Sequence, residues 1–340
     1  MDSISQIVLG AACGEIAMGK KIGNKAMMFG AIGGTIPDLD VFVGRLLYNN
    51  EIDINAFHRG FMHSIVFAIM AAFILGWILH RLYDKGNKRH GTTSLQDWRW
   101  LFFLSIFTHP ILDSFTPYGT QLFLPFTNYR VAFNTISVVD PLYTIPFLLC
   151  LIIAMFFRRN NKWRKTFVRA GWFISCFYLV LTTVNKIYID SVFKQTLKDK
   201  GIVYTRYQCQ PSILNNILWY GIAESEDRYY TAYYSLFDRD EKFSNWHELP
   251  KNHDLIPINH KDIKTLRWFS KDFYNVVPKE NGMFQYNDLR YPMLNADDPN
   301  SSVFSFTIYK NGERWDLKPF EGKPPSREDF NMFIKRIKGI

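Results

Sequence analysis

In THPILDSFTPYG (108–119), His109 and Asp113 stand four residues apart within an apolar run. On a helix that spacing puts both side chains on one face, about a turn apart. This is a usual way for one helix to offer two metal ligands, provided it runs on through Pro110 as a first-turn residue. GGTIPDLD (33–40) adds Asp38 and Asp40, which flank a single residue after Pro37 and can point the same way from an extended or turning segment. HRGFMHS (58–64) adds His58 and His63, whose separation of five suits a loop-then-helix corner. Asp2 opens the chain and Asp140 stands in VVDPLY. Mixed imidazole and carboxylate donors suit Zn²⁺ first, then Mn²⁺ or Fe²⁺, and there are enough of them for one or two divalent ions.

Other groups suit an anionic substrate. Arg59 and Arg130, with Lys186 further on, are cations for a phosphate or carboxylate. Tyr118 is placed to orient a bound molecule. Whichever of Asp2, Asp40 or Asp140 is not a ligand is available as a general base. The bland readings are a solvated terminus for Asp2, a turn or helix cap for Asp38-x-Asp40, and lipid-headgroup contact or snorkelling for the cations.

The elements that must position these groups read as membrane helices. The mean hydropathy of -0.10 hides two unlike parts. Residues 1–190 hold nearly all the long apolar runs, and residues 191–340 are polar throughout. Stretches 4–19, 26–43, 61–82, 99–116, 136–157 and 167–189 are read as about six spans. Small residues at Gly10, Ala11, Ala12, Gly14, Gly30, Ala31, Gly33 and Gly34 favour close packing of the first two. Glu15 is a puzzle: it lies toward the cytoplasmic end of span one, far from the Asp and His motifs, and reads as packed against another helix.

The net charge of +9 falls in clusters between the spans: Lys20, Lys21 and Lys25; Arg81, Lys85, Lys88, Arg89 and Arg99; Arg158, Arg159, Lys162, Arg164, Lys165 and Arg169. These loops follow spans one, three and five, so the positive-inside rule makes them cytoplasmic. The Asp and His motifs then gather at the outer face, although the sidedness argument used only Lys and Arg. Nucleic-acid binding is not expected, because no reading motif accompanies the charge.

Residues 191–340 form an extracytoplasmic domain in this reading, small, soluble and α+β. Strands are expected near 201–209, 215–223, 229–237 and 302–310. A helix over 326–339 is expected, capped by Ser326 and apolar along Phe330, Phe333 and Ile337. His80, His90, His247, His253 and His260 read as surface residues.

The order Asp2, GxIPDLD, HRGxxHS, HxxxDxxTxYG and a later Asp-Pro resembles the YdjM-like family of bacterial inner-membrane proteins, described as membrane-bound, metal-dependent hydrolases. Residues 1–145 carry the resemblance, including the opening MDSISQIVLGAACGE. Met62 departs from it, since the family often has Thr there. The resemblance implies a multi-pass protein of the bacterial inner membrane. It also implies a metal cluster of Asp38, Asp40, His58, His63, His109 and Asp113, with Asp2 and Asp140 as further ligands or supporting groups. A site at the membrane–water boundary favours a lipid or lipid-linked phosphoester as substrate. A transporter and a non-catalytic assembly protein holding a structural metal remain as alternatives.

Overall fold

The computed structural model describes residues 1–85, 91–292, 302–319 and 327–340; Lys88, Arg89, His90 and Ser326 lie outside these. They form two compact units, residues 1–43 with 57–183 and residues 44–56 with 184–340.

In the first unit, α1 (Ser3–Ile22) and α2 (Asn24–Thr35) form a hairpin turned at Gly23, whose φ of +61° suits glycine. The two backbones nearly touch. A methyl group added at Gly10, Gly14, Gly30 or Gly34 would fall within 3.0 Å of the facing main chain. The small residues seen in the sequence act as that packing face.

A 3-10 turn, Pro37–Leu39, breaks α2 from α3 (Asp40–Leu47), and the two arms bend by 41°. After α4 (Glu51–Phe57), a second 3-10 turn, Phe61–His63, leads into α5 (Ile65–Tyr83), capped by Ser64. α5 buries Ala68, Ala71, Ala72 and Gly76 and turns Ile69, Met70, Phe73, Ile74 and Trp77 outward, as a helix facing lipid does.

α6 (Leu95–Asp113) starts on a Ser94/Asp97 capping box, and α7 (Pro141–Met155) starts on Asp140 with Pro141 at its first position. α8 (Lys162–Asp199) is one helix of 38 residues, and its first turns close the bundle.

The puzzle of Glu15 resolves here. Arg164 grips both of its carboxylate oxygens at 2.6 Å and also donates to Asn24 and to the Phe157 carbonyl. Described members of the first and third basic clusters meet at this end: Lys21 pairs with Asp97 at 2.5 Å, and Arg159 donates to the Lys21 carbonyl.

All six expected spans appear as helices, but six membrane crossings do not follow. Among the described residues α5 and α8 are long and apolar enough, and the bent pair Asn24–Thr35 with Pro37–Leu47 makes up to three. α7 is short because Asp140 and Pro141 start it late, leaving 136–139 outside it. α1 and α6 have the length but carry Gln6, Glu15 and Lys20, or Asp97, Arg99 and Asp113. They bury much of their surface against neighbouring helices.

The second unit holds two antiparallel meanders. β1 (Arg206–Pro211), β2 (Leu218–Glu224), β3 (Arg228–Ser235) and β4 (Ser244–Pro250) form one sheet. β5 (Tyr274–Pro278), β6 (Phe284–Asp288), β7 (Ser305–Asn311) and β8 (Arg314–Pro319) form the other. The end of α8 lays Ile189, Val192, Phe193 and Leu197 on the first sheet. Gly221 admits the Phe193 ring, since a methyl group there would lie 2.6 Å from it.

Ile263 and Leu266 of α9 (Lys261–Phe269) pack on the second sheet, and so does Ile52 of α4. Segment 44–56, which sequence order assigns to the membrane half, therefore completes the core of the C-terminal unit. The boundary expected at 190 falls within α8.

α10 (Arg327–Ile337) is held by Arg336 on Asp238; Phe330 is exposed, while Phe333 and Ile337 are half-buried. Two histidines expected at the surface do structural work. His253 stacks on Tyr274 at 3.9 Å, and His260 caps α9.

Candidate metal centre

The centre lies at the end of the bundle opposite the basic clusters, where α6 finishes and α5 begins. The His109 and Asp113 side chains do share a face of α6, although Pro110 lies in its last turn rather than its first. Pro37 breaks the neighbouring helix beside them, and the Gly34 carbonyl accepts the His109 Nδ1 hydrogen at 2.6 Å. Because Nδ1 carries the proton, Nε2 presents its lone pair inward. His63 follows the same logic. Its Nδ1 lies 3.0 Å from Asp40 Oδ2 without a well-aligned hydrogen bond, and the carboxylate favours a proton on that nitrogen, which leaves His63 Nε2 as the acceptor.

The two Nε2 atoms face each other at 3.2 Å. Two bare lone pairs at that distance repel unless a cation or proton lies between them. Asp38 Oδ1 stands 3.4 Å from both nitrogens, and Asp113 Oδ2 stands 3.6 Å from both. Ligands bound to one tetrahedral ion at 2.0–2.2 Å are about 3.3–3.6 Å apart. The five separations that involve an imidazole nitrogen, 3.2 to 3.6 Å, are close to that spacing, and all four atoms lie within 4.8 Å of one another. Asp113 Oδ2 is buried and receives no well-aligned hydrogen bond among the described residues. The donor set therefore fits a divalent ion.

The expected ligand set divides into two layers. Asp38, His63, His109 and Asp113 converge on one point, which suits one ion rather than two. Asp40 stands behind them as a hub: fully buried, it accepts from His58 Nδ1 at 2.8 Å and from the Arg59 amide at 2.8 Å, and it meets His63 Nδ1. This single carboxylate ties down HRGFMHS, including Arg59, whose φ of +58° is uncommon for a side chain of its size. Carboxylate–imidazole–metal relays of this kind fix ring orientation. His58 is thereby held on Asp40, outside the four-ligand group.

Asp2 caps α1, accepting from the Ser5 amide and hydroxyl. Asp140 caps α7 and accepts from Tyr178. Neither joins the cluster. Lys186 is paired with Asp190 one turn along α8 and belongs to the second unit.

Arg59 does reach the centre. Its Nε lies 3.1 Å from Asp113 Oδ2, and its guanidinium donates to Thr116. Two guanidinium groups lie against the Tyr118 ring, Arg59 at 4.6 Å and Arg130 at 4.9 Å from its centre.

Sequence reasoning passed over Gln6, which donates to Asp113 Oδ1 at 2.9 Å and to the His109 carbonyl. An amide among the apolar residues of α1 was the available signal. The Met1 amino group also pairs with Asp113.

A helical bundle with apolar, outward-facing helices and a buried His/Asp cluster defines a membrane-protein class. The chain belongs to the YdjM inner membrane protein family, whose profile matches residues 1–188 and so covers the whole cluster. It is 32% identical over 160 residues to the uncharacterized protein YfhP of Bacillus subtilis (strain 168), covering 45% of this chain and 46% of that one. It is also 32% identical over 111 residues to the inner membrane protein YbcI of Escherichia coli (strain K12), covering 32% of this chain and 57% of that one. The chain thus spans about half the length of the curated relatives it matches. No solved structure matches it.

Proposed function

We propose that the protein is a metal-dependent hydrolase of the bacterial inner membrane, acting on a lipid or lipid-linked phosphoester. The observation that carries this reading is the convergence of His63 and His109 Nε2 with Asp38 and Asp113 at tetrahedral spacing, beside the Arg59 guanidinium. A divalent ion there, Zn²⁺ first and Mn²⁺ or Fe²⁺ next, would supply Lewis acidity and acidify water.

The chain's own groups then have distinct tasks. The Gly34 carbonyl holds His109 in the ligating tautomer, and the Asp40 carboxylate beside His63 Nδ1 favours the same tautomer there. Arg59 sets positive charge against Asp113 and, with Tyr118, faces an incoming anion. Asp38, with a side chain 31% exposed, is the open edge of the cluster, the side from which water and substrate would reach the ion. The separation of the basic end from the cluster end supports an outer-face site with several crossings, and an extracytoplasmic C-terminal unit follows from the same orientation.

A structural metal is the second reading, because four donors are enough to close a tetrahedral site. One comparison separates the two. The detergent-purified protein is analysed for metal beside His63→Ala/His109→Ala, and both are assayed on lipid phosphoesters and for thermal unfolding. About one equivalent of a transition metal, with hydrolysis lost in a folded double variant, supports the enzyme. Metal removal that unfolds the protein while no phosphoester is ever turned over supports the structural role. A metal-free wild type after reconstitution with Zn²⁺ or Mn²⁺ refutes both.

A further inference from the structure

Between α6 and α7, residues 114–139 form no helix and contain a single charged residue, the buried Arg130. Residues 123 and 125–129 are exposed, and none of them is charged. Phe126 is 84% exposed, Tyr129 63%, Phe133 53% and Phe123 48%. Four aromatic rings turned outward from one loop are unusual unless something apolar meets them.

The loop is not loose. Thr120 and Val131 exchange backbone hydrogen bonds, and Phe133 and Thr135 donate to the Ser114 and Phe115 carbonyls. A turn from Phe123 to Phe126 and Thr127 closes the tip. The rings are therefore presented by an anchored frame.

The loop's depth is also set. The Leu122 carbonyl accepts from the Ile65 amide at 3.0 Å, in the first turn of α5, one of the two helices long and apolar enough to cross a membrane. Phe123 thus leaves the protein where that span begins. The Gln121 amide donates to the Arg59 carbonyl at 3.1 Å, which ties the same loop to the metal-centre segment.

We propose that the 122–133 loop is seated in the bilayer interface, its aromatic side chains among lipid headgroups and upper acyl chains. The occupant of this surface is lipid. The loop continues the lipid-facing surface of α5, and aromatic residues favour that depth. The absence of exposed charge removes the desolvation cost of entering it. This inference rests on α5 as a span and not on hydrolysis, so it stands or falls apart from the enzyme reading.

The test uses the full chain in phosphatidylcholine/phosphatidylglycerol vesicles. A nitroxide is attached at Phe126→Cys in a Cys150→Ser/Cys176→Ser background, with Tyr129→Cys as an independent second position. Ile74→Cys, in the middle of α5, gives the lipid reference, and Glu226→Cys, in an exposed charged turn, gives the water reference. Power-saturation EPR then compares collisions with oxygen and with a water-soluble nickel chelate. We expect nickel collisions at both loop positions to be several-fold fewer than at Glu226, with oxygen collisions retained. Nickel access equal to that at Glu226 overturns the proposal. An immobilised label reached by neither reagent overturns it too, because the loop is then covered by protein or a second copy.

Discussion

Asp40 offers a graded test of the metal centre. If it acts only by holding His63, His58 and the Arg59 amide, different substitutions should cost different amounts. Asparagine keeps one acceptor oxygen. Turned toward the Oδ2 position, that oxygen still serves the Arg59 amide and His63 Nδ1, while the amide NH₂ faces His58. His58 can answer by changing tautomer, because it is not in the ligand group. What is lost is the charge that makes His63 a better donor, so Asp40→Asn should weaken Zn²⁺ binding by about 10-fold, the low end for such supporting groups. Alanine removes every acceptor at once and frees His63 to rotate, so Asp40→Ala should cost about 100-fold, or ~2.8 kcal/mol at 1.4 kcal/mol per tenfold. The assay is competition with a chelator of known affinity, on the monodisperse folded fraction. Wild-type affinity in both variants would refute the hub. Complete loss in Asp40→Asn would also refute it, since Asp40 would then be a ligand itself.

Other expectations follow from the same structure. Lys186→Ala should leave metal content unchanged, because its ammonium is engaged by Asp190; elemental analysis checks this. Gly14→Leu should separate α1 from α2 and lower detergent-resistant thermal stability by about 1–3 kcal/mol, since the added side chain meets the Ala26 backbone. Removing one partner of the buried Glu15–Arg164 pair, as in Glu15→Gln, should cost about 3–5 kcal/mol in chemical unfolding, and Glu15→Gln/Arg164→Met should recover part of it. In the C-terminal unit, burial raises the Glu224 pKa, but Lys251 and Arg206 outweigh it and hold the carboxyl below its ordinary 4.5. Its contribution to stability is therefore present above about pH 4.5 and fades as pH falls through the lower folded value. Hydrogen exchange of β2 should show that Glu224→Gln has lost this part of the acid sensitivity.

Much of the centre was legible because its clues are local. The i, i+4 spacing of His109 and Asp113, the Pro-Asp-x-Asp break and the His-x-x-x-x-His corner each specify a short geometry that the chain adopts. Small residues at Gly10, Gly14, Gly30 and Gly34 likewise announce the helix contact they make. The strands expected near 201–209, 215–223, 229–237 and 302–310 form at 206–211, 218–224, 228–235 and 305–311 because they are apolar or aromatic enough to read, whereas β4, β6 and β8 mix in polar and charged residues and gain their order from pairing, as does the five-residue β5. The length of an apolar run, however, says little about what buries it. α1 and α6 are packed against other helices, and α7 is cut short by its cap, so the described residues hold two or three membrane-length spans rather than six.

By itself the sequence determined which residue types the centre uses and which helix ends carry them, since charge, capping and periodicity act over a few residues. Only the tertiary structure decided their division of labour. It makes Asp38, His63, His109 and Asp113 one group, Asp40 the hub behind it, Asp2 and Asp140 caps, and Lys186 the partner of Asp190. It also sent segment 44–56 into the core of the C-terminal unit. The physical reason is common to these cases. An aspartate's role is set by which donors lie within about 3 Å of its oxygens, and those donors arrive from distant parts of the chain.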